Sequence, residues 1–207
     1  MSLADSLSCG ITALGLAVSA AAQKRLLDYL ALLAKWNRTY NLTTVREPSA
    51  MVGYHVLDSL AVLPHLAGDS LVDVGSGGGL PGIPLAIARP SWRVALVESI
   101  QKKAAFLEQC RIELSLENVT VVQRRVEDWR PPTRFAIVIS RAFSDLAEFV
   151  RLSAHLLSAG GVLAAMKGVH PYAELAQLPA GFAATAVLPL RVPEVDGARH
   201  LVLISKN

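Results

Sequence analysis

Cysteine is scarce in this chain of 207 residues, which contains only Cys9 and Cys110. The two lie far apart and form no CxxC pair, so the sequence predicts neither a zinc site nor a disulfide framework. We therefore expect no bound metal and a reducing, cytoplasmic setting.

A hydrophobic run long enough to span a bilayer is also missing. Residues 7–22 are mostly apolar, but no Lys or Arg precedes them, and Asp5 stands where a signal peptide carries basic residues. We interpret the segment as a helix, a break near residues 15–18, and a new helix capped by Ser19. No membrane association is expected.

Neither sign of charge is in strong excess, since the formal net charge is only +3. This balance does not by itself indicate a polyanionic partner, although it permits one if the basic residues share a face. Hydrophobic residues make up 52% of the chain, enough for a sizeable core. The length suits one domain with an appendage, and we expect a monomer.

The first 66 residues form a predicted N-terminal helical extension. Leu26, Leu30, Leu33 and Trp36 recur at helical spacing, and a further helix is predicted over residues 49–65. From residue 67 to 207 the pattern changes to alternating strands and helices. Predicted strands cover 70–74, 92–98, 119–123, 134–140 and 161–167, and predicted helices cover 80–89, 100–115, 125–128 and 145–158.

The strand interiors are continuous apolar runs, which is typical of a parallel sheet covered on both faces. Two further strand-like runs, 182–190 and 200–205, predict a C-terminal antiparallel hairpin. The whole is therefore an α/β fold with a mostly parallel, seven-stranded, Rossmann-like sheet.

A glycine-rich turn follows the first predicted strand, with the pattern Asp73-x-Gly75-x-Gly77-x-Gly79. The pattern also fits the dinucleotide fingerprint GxGxxG, which is weak by itself. Three observations favour the turn of class I S-adenosylmethionine (SAM) methyltransferases. Asp73 precedes the glycines, where a carboxylate suits the methionyl ammonium or a loop amide. The chain has room for one nucleotide-binding half only, and a terminal hairpin follows the parallel strands.

Two acidic positions follow later strands. Glu98 ends the second strand and is predicted to bind the ribose hydroxyls of the cofactor; the alternative is a helix cap or a surface carboxylate. Glu127, after the third strand, lies where this fold reaches the adenine, although a solvated acidic turn fits equally.

Several ordered motifs together resemble the ribosomal RNA small-subunit methyltransferase G family, also called glucose-inhibited division protein B. They are Trp36-Asn37, Tyr40-Asn41-Leu42-Thr43, His55-Val56-Leu57-Asp58-Ser59, Asp73 to Pro84, Arg125-Val126-Glu127, Ile139-Ser140-Arg141-Ala142, Lys167-Gly168 and Gly197-Ala198-Arg199-His200-Leu201. The resemblance implies methylation of N7 of a guanine (position 527 in the usual rRNA numbering) in the 530 loop of bacterial 16S rRNA. It also implies cofactor contacts at Gly75, Leu80, Val126, Glu127 and Arg141. The sequence departs from the family pattern at Arg124 and at Val169-His170.

The residues agree with this chemistry. Guanine N7 carries a free lone pair, so its methylation needs alignment and no general base. The segment after the fourth strand lacks the Asn/Asp-Pro-Pro-aromatic motif of exocyclic amine methylation and lacks a cysteine for pyrimidine C5 chemistry. Arg141 is expected to position the cofactor or the guanine, with a structural ion pair as the alternative.

RNA contacts are predicted at basic residues suited to phosphate neutralisation, and each of them alone also fits a solvated surface. The candidates are Arg125, Lys167, Arg199 and His200. Asn41 and Asp58 are expected either over the pocket or as helix caps. The implied partner is 16S rRNA or the small ribosomal subunit. A small-molecule methyltransferase and a non-catalytic SAM- or RNA-binding assembly factor remain alternatives.

Overall fold

The computed structural model describes residues 2–141, 143 and 145–207, and its centre is a seven-stranded sheet in the order β3-β2-β1-β4-β5-β7-β6. The first five strands pair in parallel, and β7 lies antiparallel between β5 and β6. The strands are β1 (Ser70–Val74), β2 (Arg93–Val97), β3 (Val119–Val122), β4 (Phe135–Ser140), β5 (Leu157–Lys167), β6 (Phe182–Pro189) and β7 (His200–Lys206). The predicted α/β architecture and its C-terminal hairpin are confirmed.

The sheet is covered on both faces, as its apolar strands require. Alternate residues of β4 enter different cores: Ile137 and Ile139 join one hydrophobic cluster and Val138 joins the other, and all three are fully buried. Helices α5 (Gly82–Ala88) and α6 (Gln101–Glu113) pack in the first cluster. Helix α7 (Leu146–Ser153) packs in the second.

The N-terminal helices belong to the first of these clusters. Helix α1 (Leu3–Ala13) begins with a capping box at Ser2. A non-helical segment separates it from α2 (Ala20–Tyr40), which Ser19 caps as predicted. Leu26, Leu30 and Leu33 of α2 are buried against the same core as the sheet residues. The hydroxyl of Tyr29 donates to the carbonyl of Gly78 at 2.6 Å, so α2 packs directly on the glycine turn.

The helix predicted over residues 49–65 is present but is divided into four short helical elements. They are α3 (Pro48–Met51), a π-helix (Val52–Leu57), α4 (Asp58–Leu60) and a 3-10 turn (Leu63–His65). π-Helical turns are rare and are frequently found at functional sites. Gly53 allows the hairpin loop to approach, since a Cβ there would lie 3.2 Å from the carbonyl oxygen of Glu194.

Two further boundaries differ from expectation. The helix predicted over 145–158 ends early, because α7 stops at Ser153 and a 3-10 turn (Ala154–Leu156) follows it. Strand β5 then begins four residues before the predicted start of that strand. A short helix α8 (Tyr172–Leu175) follows β5 and was not predicted. Among the described helices, none is long and apolar enough to cross a membrane.

Candidate functional site

The glycine turn follows β1 and lies against the carboxyl end of β2. The amide of Gly75 donates to the carbonyl of Val97 at 2.9 Å, which holds the turn against the neighbouring strand. Gly75, Gly77 and Gly79 have φ of 72°, 55° and 84°, the left-handed region that favours glycine. A Cβ added to Gly79 would lie 2.5 Å from Cδ1 of Ile83, so Gly79 is needed for packing. One added to Gly77 would meet only open space and a carbonyl 3.8 Å away, which leaves room for a ligand.

Glu98 lies at the end of β2 and is almost fully buried. Its Oε2 accepts from the amide of Gly77 at 2.9 Å, and its Oε1 accepts from the amide of Ile100 at 2.8 Å. The carboxylate therefore connects the glycine turn to the start of α6. Because each carboxylate oxygen accepts more than one hydrogen bond, both oxygens keep acceptor capacity for a ribose hydroxyl.

Asp73 lies beneath the turn and is fully buried. Its Oδ2 accepts from the amide of Gly82 at 3.0 Å, while Oδ1 has no partner among the described residues. Of the two roles expected for this carboxylate, the structure shows the bond to a loop amide. Burial raises the pKa of Asp73 from 3.8 to about 7, although the bond from Gly82 acts to lower it.

A small cleft of about 220 Å³ opens beside the turn and brings together several predicted cofactor residues. Gly75, Glu98, Val126 and Glu127 all line it, whereas Leu80 is buried. Arg125 also lines this cleft; its guanidinium is mostly exposed and lies 3.5 Å from the carboxylate of Glu127. The predicted RNA residue thus lies on the same side of the site as the predicted adenine contact.

A larger cleft of about 890 Å³ lies on the other side of the strand ends. Ser140 at the end of β4 donates its hydroxyl to the carbonyl of Val74 at 2.7 Å, so the ends of β1 and β4 meet between the two clefts. This is the topological switch point, where open α/β sheets bind ligands. The larger cleft is lined by residues 41–46 and by Tyr54, His55, Asp58, Arg141, Met166, Lys167, Gly168, Leu190, Arg199 and His200.

One buried carboxylate holds two arginines in the larger cleft. Oδ2 of Asp58 lies 3.2 Å from Nη1 of Arg141, and Oδ1 lies 3.1 Å from Nε of Arg199. Arg141 also donates to the carbonyl of Tyr54 at 3.2 Å. Only 5% of the Asp58 side chain is exposed, against 30% for Arg141 and 24% for Arg199. The ion pair expected as the alternative for Arg141 is therefore present, and the pairing leaves both guanidinium groups partly open to the cleft.

The other titratable groups of this cleft are restrained. Burial, and to a lesser extent the charge of Arg141, lower the pKa of His55 to about 4, so the imidazole is neutral at pH 7. Its Nε2 lies 2.9 Å from the hydroxyl of Thr43. Lys167 is 10% exposed and forms an ion pair of 2.6 Å with Glu174.

The predicted RNA residues are only partly brought together. Lys167, Arg199 and His200 line the larger cleft, and Arg125 lines the smaller one. The sequence analysis missed Tyr54, which faces the guanidinium of Arg199 at 5.9 Å from its ring centre. No periodicity could have found it, because it lies in the π-helix. Within residues 2–141, 143 and 145–207, no group of His, Cys, Asp or Glu is arranged to hold a metal ion.

The parallel sheet, the glycine turn with its acid after β2, and the clefts at the switch point define a class I SAM-dependent methyltransferase. The chain belongs to the rRNA small subunit methyltransferase G family, whose pattern matches residues 22–202. The predicted family and the predicted cofactor, S-adenosyl-L-methionine, are confirmed.

The similarity to named relatives extends over the whole chain. A protein from Nitrosospira multiformis named Ribosomal RNA small subunit methyltransferase G is 57% identical, covering 100% of this chain and 99% of the relative. One of the same name from Laribacter hongkongensis is 54% identical, covering 98% of each.

Solved structures share the fold at lower identity. The glycopeptide N-methyltransferase MtfA complexed with S-adenosyl-L-homocysteine matches with a TM-score of 0.62 at 14% identity, covering 74% of this chain and 87% of that one. TrmN from Thermus thermophilus matches with a TM-score of 0.56 at 17% identity, covering 83% and 53%. At these identities the likeness concerns the fold alone.

Proposed function

We propose that this chain transfers a methyl group from SAM to N7 of a guanine in the 530 loop of bacterial 16S rRNA. The observation that carries the proposal is the larger cleft, where the buried carboxylate of Asp58 presents two arginines beside the methyl-donor site. The curated relatives, which are named for ribosomal RNA of the small subunit, support the choice of acceptor.

The residues around the turn fit the cofactor. SAM supplies an electrophilic methyl group on a sulfonium, and the chain has to hold and align it. The open space at Gly77 and the backbone of Gly75 form the cradle, and Glu98 offers its remaining acceptor capacity to the ribose. We assign the adenine end to the small cleft at Val126 and Glu127.

Three further predicted cofactor residues have supporting roles in this proposal. Gly79 and Leu80 keep the turn packed, and Asp73 fixes its exit through the amide of Gly82. Asp73 then acts on the cofactor through the turn and makes no direct contact with it.

The restrained groups of the larger cleft suit an acceptor that loses no proton before attack. Asp58 is committed to two arginines, Lys167 is paired with Glu174, and His55 is a weak base because its pKa is lowered to about 4. Guanine N7 already presents a lone pair, so alignment suffices. The cysteines of covalent pyrimidine methylation are also elsewhere, with Cys9 exposed on α1 and Cys110 buried on α6.

Arg141 is assigned a positioning contact, to guanine O6, to the cofactor carboxylate or to a phosphate. A guanidinium donates well to guanine O6. Direct placement beside N7 would oppose the positive charge that develops there, so the contact must lie to one side. Arg199, Lys167, His200 and Arg125 are assigned to the RNA, with Arg199 and Arg125 the more exposed cations of the set.

The organisation of the chain follows from the same proposal. Residues 1–66 serve as a helical extension that acts as one unit with the methyltransferase domain of residues 67–207, as a monomer. A substrate in the small ribosomal subunit places the protein in the cytoplasm.

Tritiated SAM tests this function when it is offered with small ribosomal subunits, naked 16S rRNA and small acceptors, and the labelled base is mapped. We expect label on one guanine, and we expect borohydride reduction followed by aniline to cleave the RNA at that nucleotide, because N7 methylation leaves a cationic imidazolium ring. Label on a pyrimidine or on a small acceptor would refute the proposal, and binding of SAM without transfer would favour an assembly factor.

A pair of variants ties the activity to the cleft. Arg141→Ala should retain the fold and lose most methyl transfer. Arg25→Ala, an exposed arginine of α2 that lines neither cleft, should transfer normally.

A further inference from the structure

The segment after β5 presents an unusually exposed aromatic ring at the edge of the larger cleft. Tyr172 is 77% exposed and Val169 is 76% exposed, the highest values among the large hydrophobic side chains described. Both lie within four positions of Gly168, which lines the cleft. Single exposed apolar residues are ordinary on protein surfaces, so the arrangement of the rings around Tyr172 decides whether this one has a binding role.

Among the described residues, His170 is the one ring that stacks on Tyr172. His170 lies against it with ring centres 3.8 Å apart and planes 27° from parallel. His170 in turn meets His200 edge to face at 5.4 Å, and His200 lines the larger cleft. A row of three rings therefore runs from the cleft to the surface and ends in an uncovered tyrosine face.

Several bonds hold this row in place. Lys167 pairs with Glu174 at 2.6 Å, and Glu174 also accepts from the amide of Leu146 at 2.9 Å, so α8 is tied to β5 and α7. The ring of His200 is fixed by the carbonyl of Gly168, 3.0 Å from its Nδ1. A pre-positioned ring loses little entropy on binding, which is what a stacking partner requires.

We propose that Tyr172, backed by His170, is a stacking platform for a nucleotide base next to the methylated guanine. The inference rests on the proposed function and adds to it a site of substrate recognition. Proteins that hold single-stranded nucleic acid combine aromatic faces with a cationic groove, and the groove here contains the open guanidinium groups of Arg141 and Arg199. Stacking tolerates any base, so the platform holds the strand and leaves the choice of guanine to the cleft.

The test is steady-state methylation of small subunits by the wild type, Tyr172→Ala and Tyr172→Phe. Loss of one stacked base should raise KM for the RNA substrate by about 5- to 100-fold in Tyr172→Ala. The kcat and the Kd for SAM should stay unchanged, and Tyr172→Phe should behave as the wild type. Ile112→Ala, which removes an exposed apolar side chain from α6, is the matched control and should change none of these three constants.

A substrate change identifies the base. Small subunits reconstituted with 16S rRNA that has a single abasic nucleotide on either side of the target should show one position that raises KM for the wild type. The same lesion should add nothing in Tyr172→Ala, because the partner ring is already gone.

The outcomes separate the two proposals. A wild type that methylates RNA, combined with an unchanged KM in Tyr172→Ala or with fully additive abasic effects, would overturn the platform alone. A wild type that labels no RNA would overturn the proposed function and the platform with it.

Discussion

Replacing Asp73 by asparagine should remove a large part of the pH dependence of stability. The pKa of this carboxyl is 3.8 in the unfolded chain, and burial raises the pKa to about 7 in the folded state. Between these values the folded state binds a proton that the unfolded state does not, so stability falls as pH rises through the window. Ionisation of Asp73 lowers the free energy of unfolding by about 4 kcal/mol in total, and this loss is complete above pH ~7.

Asparagine keeps an oxygen for the amide of Gly82 but cannot ionise. Its NH₂ group replaces the unpartnered Oδ1 in a fully buried position, and burial of this donor costs about 1–3 kcal/mol at every pH. We expect Asp73→Asn to be about as stable as the wild type near pH 5, because the wild type has already lost roughly 1–2 kcal/mol to ionisation there. The difference should shift in favour of the variant by about 3 kcal/mol near pH 8.5, because the wild type alone pays for ionisation.

Urea unfolding at the two pH values measures this shift. Asp69→Asn provides the control, since Asp69 is an exposed carboxylate just before the same strand. A wild type and an Asp73→Asn variant whose stabilities change in parallel with pH would refute the reasoning. An equal shift in Asp69→Asn would show that the effect comes from general charge and not from burial.

Two further substitutions test the packing of the site. Asp58→Asn should lower the free energy of unfolding by about 1–3 kcal/mol, which is less than for a fully buried pair because both arginines are partly exposed. The variant should also transfer methyl groups much more slowly, and full activity in a transfer assay would contradict the shared role of Asp58. Gly79→Ala should destabilise by more than the ~1–2 kcal/mol of a left-handed alanine, because its Cβ would lie 2.5 Å from Ile83. Gly15→Ala, also left-handed but with open space around it, should cost the left-handed term only, and equal urea midpoints for the two variants would argue against the steric contribution.

Local signals predicted most of the scaffold. The cap at Ser19 and the apolar stripe of Leu26, Leu30 and Leu33 are local, and α2 begins and buries its side chains as they indicate. Continuous apolar runs likewise predicted a parallel sheet covered on both faces, and β1 and β4 are buried in this way. These features depend on neighbouring residues, which a sequence displays directly.

The π-helix and the start of β5 could not be predicted in the same way. A π-helical turn has no distinct periodicity, and the approach of the hairpin loop at Gly53 is a tertiary contact. The start of β5 is set by pairing with β4 across a register shift between Phe135 and Ile137. Both outcomes depend on partners that are distant along the chain.

The site was predicted residue by residue but not in its connections. Glu98 stands where its spacing placed it, yet its bond to Gly77 joins positions 21 apart. Asp58 was expected over the pocket or as a helix cap, but its ion pair with Arg199 links two residues that lie 141 positions apart in the sequence. Long-range ion pairs of this kind leave no pattern in one sequence. Direct cofactor and RNA contacts stay predictions.

The bond from Tyr29 to the carbonyl of Gly78 also limits how this protein can evolve. The donor belongs to the N-terminal extension and the acceptor to the cofactor turn, and the hydroxyl is buried. A chimera that exchanged the extension for an unrelated module would remove the donor and leave that buried carbonyl unpaired. Changes in the exposed segment after β5 would leave this bond intact, whereas an exchange of the first helices would remove its donor.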